Sequence, residues 1–353
     1  MPTLSVRAPL AWLGPGEVVR YAAVVAEDGV VVYAGHSAPA PPAERRIDVD
    51  GVLMPAVADR HVHIRLADPA AVLMGGVVAV RDLAWPADDI FALADASELP
   101  TFNGPIVRAA GPMLTAPGGY PTGDRWAPPG TGLEIRGVDE ATRAVRMLSD
   151  RGAAAIKVSL NAEAGPTPTD AELAAIVETA HGLGLPVTVH PEGKGQVERA
   201  LGAGVDELAH TPWSERLPDG VIQALARSVR IVSTLDIHSY GEITEDLRVA
   251  ADNLSRFRAA GGTVVYGTDL GNGPIPPGIH VREALLLHEV VGMTNEEVLG
   301  AMVAGRLEAG GPADLIALGR NPLEELDALG DLRLVMRAGR VVLRRAELDT
   351  GSN

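Results

Sequence analysis

A (β/α)8 barrel carrying a small β-sandwich built from both ends of the chain is the fold the sequence predicts, and three observations predict it. The middle alternates short apolar runs with segments of helical spacing, about eight times over, the number that closes such a barrel. Both ends have the texture of short strands. Six side chains able to bind metal, His61, His63, Lys157, His190, His210 and Asp269, each close an apolar run. Chemistry in such a barrel sits at the C-terminal ends of its strands.

Taken in order, the first fifty residues predict strands over 18–25, 30–33 and 46–49, leading into 51–55. Glu27-Asp28-Gly29 and the Pro-rich stretch 39–42 punctuate them. Barrel strands are expected at 57–61, 76–81, 106–110, 154–158, 186–190, 207–210, 231–235 and 263–267. Helical spacing is found over 139–150, 169–183, 195–203, 218–227, 244–260 and 281–291. Strands return at 313–318 and 332–343, with a turn at Arg337-Ala338-Gly339-Arg340. Residues 1–55 and 310–345 are therefore expected to pair as one discontinuous β-sandwich domain. Residues 56–309 form the barrel and 346–353 a tail. Two irregular segments, 111–137 with Tyr120, Arg125 and Trp126, and 270–280 directly after Asp269, read as lids over the active face.

Composition narrows the class. At 353 residues the chain exceeds what one core usually serves. Apolar residues at 46% and charged residues at 22% are ordinary for a soluble globular protein. Aromatics are only 3%, so the core should be aliphatic. A formal charge of −16 argues against nucleic acid or an anionic membrane as partner. The lack of cysteine excludes disulfides, thiolate zinc sites and cysteine nucleophiles. The N-terminal stretch has no signal-peptide pattern, and no apolar run approaches the ~20 residues of a membrane span. The expectation is a cytoplasmic protein acting on a small molecule, with a homo-oligomer left open.

The six ligands carry the chemistry. His61 and His63 share one side of a strand and can reach one metal. His190 and His210 arrive from neighbouring strands and can hold a second, while Asp269 can ligate and accept a proton from attacking water. Nitrogen and oxygen ligands suit two divalent ions, zinc first, with manganese, iron or nickel as alternatives. Only two of the 30 basic residues are lysines, Lys157 and Lys194. A lysine kept at a strand end, where this chain habitually uses arginine, suggests chemistry arginine cannot do. Its amine can lose a proton when buried and take up CO2 as a carbamate that bridges two metals.

With these residues in place, the chain resembles the amidohydrolase superfamily, its imidazolonepropionase-like and prolidase-like group above all. The resemblance spans nearly the whole chain. It is carried by residues 51–63 ending in His61-Val62-His63, by Val80-Arg81-Asp82-Leu83, Ile156-Lys157-Val158, Val187-Thr188-Val189-His190 and Glu207-Leu208-Ala209-His210, and by Gly267-Thr268-Asp269. Residues 311–316 and Asn321-Pro322-Leu323 close it. It implies that His61, His63 and Asp269 hold one metal and His190 and His210 the other. Carboxylated Lys157 would bridge them and Asp269 would shuttle the proton. The implied activity is hydrolysis of a C–N bond, an amide or cyclic amide of a small polar substrate, by a metal-bridging hydroxide. Alternatives are a deaminase or an ester or lactone hydrolase on the same metals, a non-hydrolytic metal enzyme, and a scaffold that has lost catalysis.

The chain departs from the group's pattern in a short first loop, in Tyr120 where relatives often carry histidine, and in a shortened segment between Met302 and Gly311. Tyr120 and His238 are expected to contact substrate, with Trp126 and His280 as further loop candidates. Glu192 reads as support for His190 or as structural. Arg81 and Asp82 orient a ligand or form a buried ion pair. His36, His181 and His288 are expected away from the active face.

Overall fold

The structure is a computed structural model and describes residues 2–345; the expected tail 346–353 lies outside them. The chain opens with β1 (Leu4–Gly14), β2 (Glu17–Glu27), β3 (Val30–His36), β4 (Arg45–Asp48) and β5 (Val52–Pro55). β1 was not expected. It lies inside its sheet, paired with β2 on one side and with β4 and β5 on the other. Leu4, Val6 and Ala8 alternate with Ser5 and Arg7, but Pro9 and the apolar run over 10–13 break the pattern by which a half-exposed strand is recognised.

The barrel strands follow: β6 (Val57–Val62), β7 (Val77–Asp82), β8 (Ile106–Ala109), β9 (Met113–Thr115), β10 (Gly132–Glu134), β11 (Ile156–Asn161), β12 (Val187–Glu192), β13 (Glu207–Leu208), β14 (Arg230–Val232) and β15 (Thr263–Val265). β6, β7 and β8 pair in parallel, and β9 to β15 form a seven-stranded parallel sheet edged by β10. Hydrogen bonds cross both gaps. Ala154 N–H donates to Ala109 O at 2.8 Å, and Asp269 N–H to His61 O at 2.8 Å. The order β6, β7, β8, β11, β12, β13, β14, β15 and back to β6 is thereby joined by hydrogen bonds throughout. β9 and β10 fall in the 111–137 segment, which is therefore partly strand and not wholly irregular.

Nine helices among the described residues link these strands: α1 (Pro69–Met74), α2 (Ala87–Ser97), α3 (Gly137–Asp150), α4 (Asp170–Gly182), α5 (Gln196–Ala203), α6 (Asp219–Ser228), α7 (Glu245–Ala259), α8 (Val281–Glu289) and α9 (Asn295–Met302). α3 to α8 lie where helical spacing put them. Thr169 with Glu172 and Thr294 with Glu297 close capping boxes at the starts of α4 and α9. α1, α2 and α9 were missed: two are short, and α2 buries only Ile90, Phe91 and Ser97 along its length. No helix of the described residues is long and apolar enough to cross a membrane.

β16 (Leu315–Leu318), β17 (Leu332–Arg337) and β18 (Arg340–Arg344) then return to the first sheet, β16 pairing antiparallel with β5. The two chain ends thus share one eight-stranded sheet. The pairing shows that single sheet; it does not show the two facing sheets of the expected sandwich. Leu4, Val6, Val24, Leu315 and Leu334 form its apolar core, distinct from the larger core between barrel and helices.

Candidate metal centre

The barrel brings the six expected ligands to one end, though not all from strand termini. His61 is the fifth of six residues in β6, and His63 follows that strand directly. His190 is the fourth residue of β12, and His210 stands two beyond β13. Lys157 departs furthest from expectation, as the second residue of β11 instead of its last. In register it faces Thr188, while His190 faces Ser159, two residues higher. That is roughly 6.6 Å of strand rise, which the long four-carbon stem of a lysine is suited to cover.

Asp269 gathers the first ligands. Its Oδ1 stands 3.3 Å from His61 Nε2 and 3.2 Å from His63 Nε2. Among the described residues, these three form the one group whose ligand atoms lie close enough together for a shared ion. His61 Nδ1 faces Ala209 O at 2.8 Å and His63 Nδ1 faces Ala84 O at 3.2 Å. A carbonyl only accepts, so both Nδ1 atoms carry hydrogen and the neutral rings turn Nε2 lone pairs toward a carboxylate. Three electron-rich atoms converge. Such a group calls for a cation, or for a proton on one ring. Burial together with Lys157 holds His61 well below the ordinary histidine range, whereas the negative charge of the facing Asp269 carboxylate lifts His63 against its own burial. Asp269 is held well below the carboxylate range, burial notwithstanding, by His61 and His63. It sits four residues beyond β15 and not at its end as expected, at φ 59° in the left-handed region, and its Oδ2 accepts from Asn272 Nδ2 at 2.9 Å.

His210 and His190 face this group. The His61 and His210 rings are 4.5 Å apart, and those of His210 and His190 4.6 Å. His190 Nε2 meets Glu192 Oε2 at 3.1 Å, and Glu192 is steadied by Asn161 Nδ2 at 2.6 Å. Glu192 therefore holds His190, leaving the ring's Nδ1 uncommitted. His210 Nδ1 pairs with Thr234 Oγ1 at 2.9 Å. Lys157 Nζ is wholly buried and, like Asp269 Oδ1, has no hydrogen-bond partner. Burial pulls its ammonium down to about 7. Two orphaned buried polar atoms within a ring of imidazoles fit a cation-binding centre, since native structures rarely leave such groups unsatisfied.

The supporting residues were less legible. Asp59 accepts from His61 N–H at 3.0 Å, Thr268 N–H at 3.1 Å and Thr268 Oγ1 at 2.5 Å, tying the two ligand-bearing strands together; burial raises its carboxyl to about 7. Asp82 accepts from Ile64 N–H at 2.8 Å and so fixes the chain just after His63. Arg81 forms an ion pair with Glu207 across the barrel. Neither Arg81 nor Asp82 touches a ligand side chain by hydrogen bond.

Aromatic side chains cover the centre. Tyr120 lies 5.1 Å from the His190 ring and Trp126 4.5 Å from His63. Trp213, which sequence reading missed, stands 5.7 Å from His210 and stacks at 4.3 Å on His238. Its one sequence signal was position, three residues after a ligand. His238 Nε2 is buried without a partner, and burial lowers the ring to about 4. His280 does not join this cover: its Nε2 is bound to Asp236 Oδ2 at 2.7 Å. His181 pairs with Asp206 at the surface, and His36 and His288 bond to their own local backbone, away from the centre.

A parallel α/β barrel with buried histidines and an aspartate converging at one end is an arrangement able to hold a metal ion. A model of the amidohydrolase family matches residues 52–342. The chain belongs to that family and is an enzyme hydrolysing C–N bonds. Ochratoxinase of Aspergillus niger is 29% identical over an alignment of 406 positions, covering 91% of this chain and 82% of its own. Imidazolonepropionase of Salinispora arenicola is 42% identical over 59 residues, 16% of this chain and 15% of its own. Among solved structures, A. niger ochratoxinase superposes with a TM-score of 0.82 at 24% identity, covering 97% of this chain and 96% of that one. A Xaa-Pro dipeptidase with methionine in its active site gives 0.80 at 22%, covering 96% and 99%. At those identities the two structures speak for the fold.

Proposed function

We propose that this chain hydrolyses an amide or cyclic amide at a binuclear metal centre, with His61, His63 and Asp269 holding one divalent ion, His190 and His210 the other, and carboxylated Lys157 between them. The observation that carries this is the orphaned Lys157 Nζ, buried close enough to His61, His190 and His210 to act on their charge, while His61, His63 and His190 each have a ring nitrogen committed to a backbone carbonyl or Glu192. A lysine depressed to about 7 has a substantial neutral fraction near pH 7, which an unperturbed lysine lacks. Its lone pair then attacks CO2: one N–C bond forms as one C=O π pair moves onto oxygen, the nitrogen loses one proton to water, and a single negative charge is shared by two oxygens. Zinc is the first choice for nitrogen and oxygen donors of this kind. Bound divalent ions supply Lewis acidity and a water of lowered pKa.

The chain's own residues do the rest. Asp269 takes the proton of the attacking water and returns it to the leaving nitrogen. Glu192, Thr234 and the carbonyls of Ala84 and Ala209 keep the imidazoles in one orientation. Tyr120 and Trp126 exclude water above the centre, and Trp213 with His238 offers a flat wall to one side of the substrate. The substrate read from sequence as simply polar is therefore better drawn as an amide with a flat or apolar group. In this reading residues 1–55 and 310–345 form a separate β domain beside the barrel 56–309, and the enzyme works in the cytoplasm. The test is metal content and activity together. The purified enzyme should hold close to two ions per chain and act on N-acyl amides or cyclic ureas. Lys157→Ala should lose one ion and roughly a hundredfold or more in kcat, with partial rescue by a short carboxylic acid. One ion per chain under metal-replete conditions, at full activity, would overturn it.

A further inference from the structure

The opposite end of the barrel holds a second cleft, of about 590 Å³, between the lower halves of β6, β7 and β8 and the turn joining β17 to β18. Four arginines line it, Arg60, Arg81, Arg108 and Arg337, against two aspartates, Asp59 and Asp314. In a chain of net charge −16 this is a local excess of positive charge at a cavity. The remaining walls are alanine, valine, isoleucine and proline. The size is that of a small-molecule site, and the make-up is apolar with a few charged groups.

The charges do not cancel among themselves. Arg81 is engaged by Glu207, and Arg108 by Glu98 at the surface. Asp59 cannot serve Arg60, because its two oxygens are taken by His61 N–H, Thr268 N–H and the Thr268 hydroxyl. Arg60 has no ion-pair partner among the described residues; its Nη2 donates only to Val303 O, at 3.1 Å. Burial opposes its charge most, Arg81 and Arg230 oppose it further, and Asp59 and Glu207 favour it from a distance without an ion pair. Arg337 is 6% exposed and is held by the carbonyls of Ser97, Phe102 and Gly104, yet its Nε is buried with no acceptor. Asp314 lies near Arg337 but spends Oδ1 on Ala338 N–H at 2.6 Å. A guanidinium kept from water normally has an anion to face.

We propose that this cleft binds a small organic anion, a carboxylate or phosphate on an apolar body, with Arg60 and Arg337 facing the charge and the aliphatic walls taking the body. The site is separate from the metal centre and does not depend on which bond the enzyme cleaves. It bears on that centre through β6, since Arg60 adjoins His61 and Asp59 holds the His61 amide.

The test uses the full, metal-loaded chain. Calorimetry with 4-bromobenzoate and with phenyl phosphate tells which anion is preferred, and neutral 4-bromobenzamide is the control. At least one anion should bind saturably and at least tenfold more tightly than the amide. Arg60→Gln should weaken it at least tenfold, and the milder Arg108→Gln about threefold. Bromine diffraction from wild-type crystals soaked in 4-bromobenzoate locates the site without any variant, and should place the halogen against the aliphatic walls of this cleft, at the end of the ring away from Arg60. Bromine found only beside the histidines, equal binding of the amide, or affinity unchanged by Arg60→Gln with the variant folded would each overturn the proposal.

Discussion

The two ends of the barrel are built from the same strands and carry opposite chemistry. Adjacent residues of β6 serve the two, His61 the histidine cluster and Arg60 the lower cleft, and β7 places Arg81 below the Asp82 that supports His63. β13 opens with Glu207, the partner of Arg81, and leads to His210 two residues beyond its end. At the upper end, neutral imidazoles and a carboxylate converge and call for a cation. At the lower end guanidinium groups outnumber carboxylates and call for an anion. What separates the two is the type of residue each strand supplies and its height along the strand. Imidazole can present a lone pair when burial strips its proton, as at His61 and His210. Guanidinium stays charged under the same burial.

The largest expected effect lies at the upper end. Asp269→Asn keeps shape and removes both the charge that His61 and His63 face and the proton acceptor. We expect kcat to fall by at least about a thousandfold, with loss of metal measurable by elemental analysis and little change in secondary structure by circular dichroism. A variant retaining a tenth of wild-type activity would remove Asp269 from the proton path.

The lower end should respond in stability instead. Glu207→Gln leaves Arg81 inside the barrel without its partner, and both side chains are largely buried. Breaking a pair of this kind costs roughly 3–5 kcal/mol, visible as a lower denaturation midpoint at unchanged slope. Activity per folded molecule should stay within a fewfold of wild type. If Glu207→Gln lost as much activity as Asp269→Asn, the division of labour between the two ends would be wrong.

What could be read from sequence follows the same division. Histidines, a rare lysine and an aspartate at the ends of apolar runs are conspicuous, so the six candidate residues were legible; the structure gathers them at one end, with His61, His63 and Asp269 close enough to share an ion. Lys157 was placed at a strand end because its apolar run stops there; that β11 continues through Ser159 and Asn161 becomes clear only from pairing with β12. The lower cleft was not legible. An arginine in a strand does not announce whether its carboxylate lies across the barrel, as for Arg81, or is missing, as for Arg60. Trp213 was hidden for a similar reason, since its contacts with His190, His210 and His238 are all made in space. β1 was lost because Pro9 and the apolar run after it interrupt the alternation that begins at Leu4.

The smallest effect is a pH dependence that tests the buried amine itself. In metal-free protein Lys157 has been pulled from 10.5 to about 7. Across that window the unfolded chain binds a proton that the folded chain does not, so this group makes stability rise with pH. Its penalty is full below pH 7 and relieved by pH 10.5. Asp59 acts with the opposite sign: raised from 3.8 to about 7, it favours the folded state at low pH, and that contribution is lost by pH 7. Asp82, raised to about 6, behaves likewise and is also flat above 7. His63, raised above 6.5, still opposes the trend at the start of the window, so the comparison must be made against a variant that shares it. Wild type minus Lys157→Met, melted after chelation between pH 7.5 and 9.5, isolates the amine. The difference should move in favour of wild type by on the order of a few degrees. A difference that stays flat would mean that Lys157 reaches water or a carboxylate when metal is absent, and that its amine is not held ready for CO2.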